Sequence, residues 1–225
     1  PTLHTEIINT LLRAHPALEN TEIFITSNGW YSISDRLISD TLNKILKIDH
    51  LQLSFDVYHG SKIGMDDIKR LRNFLKEKGV KFNISICISS PADLAGANSL
   101  QNEIGELVIF QKVDSTGRAR ENKLEFKYPK FEKEVLNKKC PNIGQITFVA
   151  NRGFSVCCSN LAFNSQSNEI FHRSIEDHLS SEFYKQIERK TFGEILLIDG
   201  DVEISNFSSE FSSPCRMCEF VHKRK

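Results

Sequence analysis

Over residues 1–113 the hydrophobic period switches repeatedly between helical and strand spacing, and this limits the possible folds more than any other feature of the chain. Residues 3–15 place Leu3, Ile7, Ile8, Leu11 and Leu12 on one stripe, the spacing of an amphipathic helix, and Pro16 stops it. EIFITSNG (residues 22–29) then reads as a strand running into a polar, glycine-containing turn. A second helix is predicted over residues 34–47, with Ser34 or Asp35 as its N-cap, and a strand over residues 50–56. A third helix covers residues 65–79, opened by acids and closed by Gly79. Residues 80–89 form a strand, residues 91–104 a weaker helix and residues 106–113 a fourth strand.

Strands separated by helices of this length are consecutive βα units of a parallel sheet or barrel, with an antiparallel α+β sheet as the alternative. The series is too short for an eight-fold barrel. It opens on a helix, and the chain begins at Pro1, not Met, so a strand upstream is expected and the piece reads as a fragment or processed product. A sheet missing such a strand would expose an edge, which predicts association into a dimer.

Beyond residue 113 the pattern changes. Residues 114–139 form a charged connector, and residues 140–225 a smaller cysteine-rich α+β domain. Within it QITFVANRGFSVCC (residues 145–158) reads as a β-hairpin turning at Asn151, Arg152 and Gly153, and one long helix is predicted over residues 174–190.

Composition excludes several classes. Lys plus Arg equals Asp plus Glu at 29 each, so no global field points to nucleic acid or anionic lipid. No apolar run approaches the roughly 20 residues that span a bilayer, and residues 1–12 lack the pattern of a secretory signal. A chain with 40% apolar residues has core enough to need no disulfide framework, and vicinal Cys157 and Cys158 are awkward disulfide partners. Reduced thiols in the cytoplasm fit better.

The cysteines then carry the chemistry. Cys140 is followed by twelve residues, Gly153, four residues and Cys158; after a long gap comes Cys215-x-x-Cys218. A hairpin that returns one cysteine beside an upstream one, joined by a pair on a single turn, suits four thiolates around one point. Soft ligands of that kind select zinc, copper(I) or an iron–sulfur cluster. Cys87 sits in a strand pattern and reads as a small buried hydrophobe. Adjacent strand residues face opposite sides, so only one of Cys157 and Cys158 points at the site. Cys158 is taken as the ligand and Cys157 as a spare, redox-sensitive neighbour.

The run from Cys140 through Gly153 to Cys158, the helix start at Ser174 and the Cys215-x-x-Cys218 pair resemble the twitch or SPASM-like C-terminal extension of radical S-adenosylmethionine enzymes. In that extension such cysteines ligate an auxiliary four-iron four-sulfur cluster. Residues 1–113 are similar to that family's partial (β/α) barrel read from just after its second strand, with Pro1 as the proline of its Gly-Gly-Glu-Pro segment. The resemblance implies a 4Fe-4S cluster on Cys140, Cys158, Cys215 and Cys218. It also implies an S-adenosylmethionine pocket lined by Asn28, Ser54 and Asp56, at the strand ends where parallel folds build their active face. A peptide or protein side chain is the implied substrate. The family's Cys-x-x-x-Cys-x-x-Cys loop is not in the chain, so this stretch is not expected to cleave S-adenosylmethionine itself.

The competing expectation is a non-catalytic scaffold or interaction module in which the same four cysteines hold structural zinc. His59, after Asp56, is a candidate to reach substrate. His4 reads as a capping or solvent-exposed residue, His222 as a helix C-terminal cation or zinc ligand, and Gly117-Arg118-Ala119-Arg120 as a solvated linker or a carboxylate contact.

Overall fold

The computed structural model describes residues 4–14, 20–55, 63–164, 169–198 and 206–223. The chain divides into two compact units, Pro1–Gln111 and Lys112–Lys225.

The first unit alternates α1 (Thr5–Ala14), β1 (Phe24–Ser27), α2 (Asp35–Leu42), β2 (His50–Ser54), α3 (Met65–Glu77), β3 (Lys81–Ile88), α4 (Leu94–Ile104) and β4 (Val108–Lys112). The strands form one parallel sheet in the order β1-β2-β3-β4. The antiparallel alternative therefore falls, and the sheet is not seen to close into a barrel. Ser34 caps α2 by accepting from the Leu37 amide, and Gly79 follows α3 at φ 70°. The second helix ends at Leu42, five residues before its apolar pattern does. Asn9 on α1 explains this: its buried amide donates to the Lys44 carbonyl (2.6 Å) and accepts from the Leu46 amide (2.9 Å), so those groups leave the helical ladder.

Register assigns the two faces of this sheet. Ile25 pairs with Leu51, Leu51 with Phe82, and Leu53 with Ile84. That face packs on Ile38 and Leu42 of α2, Ile68, Leu71 and Leu75 of α3, and Ala97, Leu100 and Ile104 of α4. Helices on one face, with strands in sequential order, make a singly wound sheet, in contrast to a doubly wound one. Alternation puts Thr26, His50, Gln52, Asn83 and Ser85 on the other face. Gln52, Asn83 and Ser85 are buried there, and Asn83 ties Gln52 (3.1 Å) to His50 (2.5 Å).

The second unit is mostly short helices around a two-stranded hairpin. Its elements are α5 (Gly117–Glu121), β5 (Thr147–Val149), β6 (Gly153–Ser155), α6 (Asn160–Asn164), α7 (Ile175–Ser180), α8 (Glu182–Arg189), α9 (Phe192–Ile198) and α10 (Pro214–Lys223). Part of the expected connector is thus the helical turn α5. The hairpin is antiparallel, with Asn151 (φ 64°) and Gly153 (φ 111°) supplying the left-handed residues its turn needs. The single helix expected over residues 174–190 is broken in two. Ser181 takes ψ 152°, donates its hydroxyl to the His178 carbonyl (2.7 Å) and caps α8 by accepting from the Tyr184 amide (3.1 Å). A serine that closes one helix and opens the next beats continuous periodicity. The core joins Val135, Leu161, Phe171, Phe192, Ile195, Met217 and Val221, with Cys157 and Cys218 inside the same cluster.

Candidate metal centre

Three separate segments of the second unit bring five of the six cysteines to one cavity. Cys140 comes from the approach to the hairpin, Cys157 and Cys158 from its exit, and Cys215 and Cys218 from one face of α10. The cavity measures about 220 Å³, more than ten times the roughly 10–15 Å³ that holds one water. Asp114, Pro141, Asn142, Ser159, Asn160, Leu161, Phe192 and Pro214 complete its lining.

The hairpin is held by contacts that the sequence reading does not contain. Phe154 and His172 exchange two backbone hydrogen bonds (2.8 and 3.0 Å), adding one strand-like residue beside β6. At Gly153 a Cβ would stand 2.3 Å from the His172 carbonyl oxygen, so the glycine answers both a left-handed φ and a backbone approach. Arg152 lies over the Phe171 ring (4.0 Å) and donates to the Ala162 carbonyl, tying the turn to α6.

Val156, fully buried just before the two cysteines, has both backbone polar groups taken by side chains. Its amide donates to Nε2 of His178 (2.9 Å), and its carbonyl accepts from the Asn142 amide (2.5 Å). Asn142 lies two residues after Cys140, so this bond fixes the first cysteine segment against the second. Because Nε2 of His178 accepts, its proton sits on Nδ1, which donates to Nδ1 of His172 (3.0 Å). Burial, with His172 next, pushes the His178 pKa down to about 4. His178 is the positioning residue that sequence reasoning missed. Only its place on the buried side of α7 hints at it.

On the α10 side, Asp114 accepts from Ser159 (3.3 Å) and Ser213 (3.1 Å), linking the hairpin exit to the start of that helix. A neighbouring face of α10 is pinned by Arg216, which pairs with Glu125 (2.9 Å) and Glu219 (3.5 Å). Arg120 reaches Glu219 at 3.7 Å, so the carboxylate expected near it is one within the same unit.

The electrostatics of the cavity are one-sided. Among the described residues its lining holds five thiols and a carboxylate but no lysine, arginine or histidine. Burial first, and neighbouring thiols next, push Cys140 up and push Cys218 well above the ordinary thiol range. Burial and then Asp114 do the same to Cys215. Buried thiolates without a counter-cation are costly, so these side chains stay protonated until a soft cation arrives to take their protons' place. Asn160 gives a second sign of fit: it is fully buried on the lining, and neither its amide nitrogen nor its oxygen has a partner. The donor set fits a thiophilic metal group. Among the described residues no three His, Cys, Asp or Glu side chains are close enough to share one ion. A cluster takes each thiolate on a different iron and so accepts a wider ring than zinc does.

The remaining candidates fall in several places. Asn28, exposed, follows β1, and Ser54, half-buried, ends β2; the pairing of Ser27 with Leu53 makes them neighbours at the strand C-termini, on the polar face of the sheet. Asp56 and His59 lie outside the described residues. His4 uses its carbonyl to open α1, accepting from Ile7 and Ile8. His222 meets the Phe183 ring edge-on at 5.1 Å and does not line the cavity. Among the described residues no helix is long and apolar enough to cross a membrane.

The sequence matches no protein-family model and no curated protein.

Proposed function

We propose that this chain is part of a radical S-adenosylmethionine enzyme and that its second unit carries an auxiliary iron–sulfur cluster of the 4Fe-4S type. One observation carries the reading: thiols from three chain segments line one cavity that, among the described residues, has no cationic side chain. Cys140, Cys215 and Cys218 would hold the cluster with one of the vicinal pair, for which the resemblance names Cys158. When bound, such a cluster supplies one-electron transfer or a Lewis-acidic iron. The chain's own residues supply the setting. Leu161, Phe192 and Pro214 exclude water from one side, Asn142 and His178 fix the hairpin, and the Asn160 amide offers a donor to sulfur.

In the same proposal the sheet of the first unit is the remaining part of a partial (β/α) barrel. Asn28 and Ser54, with Asp56, would contact S-adenosylmethionine at the strand ends, where their amide, hydroxyl and carboxylate suit ribose and amino-acid groups. The singly wound, sequentially ordered sheet with a polar second face supports this. A peptide or protein side chain is the proposed substrate, and a reducing cytoplasm, where thiols persist, the proposed setting.

The test is elemental analysis of the full chain purified without oxygen. A brown protein with iron and acid-labile sulfide in about equal amounts is expected. Colourless protein with stoichiometric zinc and no iron would replace the cluster with the structural-zinc reading.

A further inference from the structure

We infer that Cys157, not Cys158, completes the ligand set with Cys140, Cys215 and Cys218, leaving Cys158 as a free thiol at the cavity mouth. The inference rests on the cluster reading above and changes one of its ligands.

Packing separates the vicinal pair. Cys157 is half-buried in the same core cluster as Cys218, whereas Cys158 is exposed and belongs to no core cluster. The direction of the chain at this point is not free to invert. Val156 is clamped through both backbone groups by His178 and Asn142, and the Cys157 amide is held by the Ser155 hydroxyl at 3.0 Å. With that frame fixed, the Cys157 side chain is set against the core and the Cys158 side chain toward solvent.

Both sulfurs line the cavity, but only Cys157 also packs against the core cluster that contains Cys218. On loading, each of the four sulfurs exchanges its proton for a bond to iron, and Cys158 keeps its own.

The experiment is anaerobic reconstitution of the full chain with ferrous iron and sulfide, comparing wild type with C140S, C157S and C158S. Iron, sulfide and visible absorption are measured. Loaded wild type is also alkylated with iodoacetamide, and the modified cysteine is located by peptide mass spectrometry. Loss of the cluster is expected in C140S and C157S, with wild-type iron content in C158S. In loaded wild type, Cys158 is alkylated and Cys157 is protected. A C158S protein that loses its iron, a C157S protein that keeps it, or a loaded wild type alkylated at Cys157 overturns the inference. Should C157S fail to fold, as judged by circular dichroism of the metal-free form, the C158S content and the alkylation pattern still decide. A wild type that takes up no iron instead sinks the cluster reading itself.

Discussion

Replacing Gly153 by alanine tests whether the hairpin positions the cysteines as described. Two costs follow from its geometry. At φ 111° a residue with a Cβ is held outside its favoured regions, at about 1–3 kcal/mol. The new Cβ would also stand 2.3 Å from the His172 carbonyl oxygen, which is backbone and cannot swing aside. Relief requires giving up the two Phe154–His172 hydrogen bonds, together about 1–3 kcal/mol. The expected loss is therefore about 2–6 kcal/mol. Gly144→Ala is the internal control: it too has a positive φ, 86°, but no atom lies within 4 Å of its added Cβ. Strain alone predicts about 1–2 kcal/mol there. The only tryptophan, Trp30, lies in the first unit and does not report on the hairpin. Cys218, 7% exposed, does. Its alkylation across a urea series, on reduced metal-free protein, gives an unfolding midpoint for the second unit. With a slope near 2 kcal/mol per molar urea, Gly153→Ala should lower that midpoint by roughly 1–3 M and Gly144→Ala by less than about 1 M. Equal shifts in the two variants would refute the account of the hairpin. Gly153→Ala should also reduce iron uptake at protein concentrations where Gly144→Ala does not.

Acid is expected to loosen the second unit through His178. The folded imidazole is neutral with its pKa down at about 4, so between pH 6.5 and 4 the unfolded chain binds the extra proton. Stability is full above pH 6.5 and falls as pH drops through that window, by at most about 3 kcal/mol at about 1.4 kcal/mol per unit. The difference between wild type and His178→Phe cancels the carboxylates common to both; a difference that stays flat from pH 7 to 4 would remove this role for the imidazole. His178→Phe should itself cost about 1–3 kcal/mol at pH 7, because the buried Val156 amide loses its acceptor. In the first unit, Asn9→Ala breaks two bonds to the turn after α2 and should cost about 2 kcal/mol by Trp30 fluorescence, with faster hydrogen exchange at the Leu46 amide. Unchanged exchange there would mean that Asn9 does not set the end of α2.

Local chemistry carried much of this protein in its sequence. The switch between helical and strand periods marked the four strands and the helices between them, and Ser34, Gly79 and Asn151 to Gly153 announced caps and a turn through their own side chains or backbone freedom. The cysteine spacing singled out Cys140, Cys158, Cys215 and Cys218, since a hairpin return and a pair on a single turn are both short-range geometry. What the sequence could not hold was any decision made between distant segments. Helix α2 stops early because Asn9, 35 residues away from Lys44, takes its carbonyl. The helix after Ser174 breaks so that Ser181 can cap α8 and His178 can reach Val156, 22 residues upstream. Cys157 and Cys158 are chemically identical neighbours in the sequence. Only the fold tells them apart, leaving Cys157 half-buried against the core and Cys158 exposed, because burial is a property of the whole fold and not of either residue.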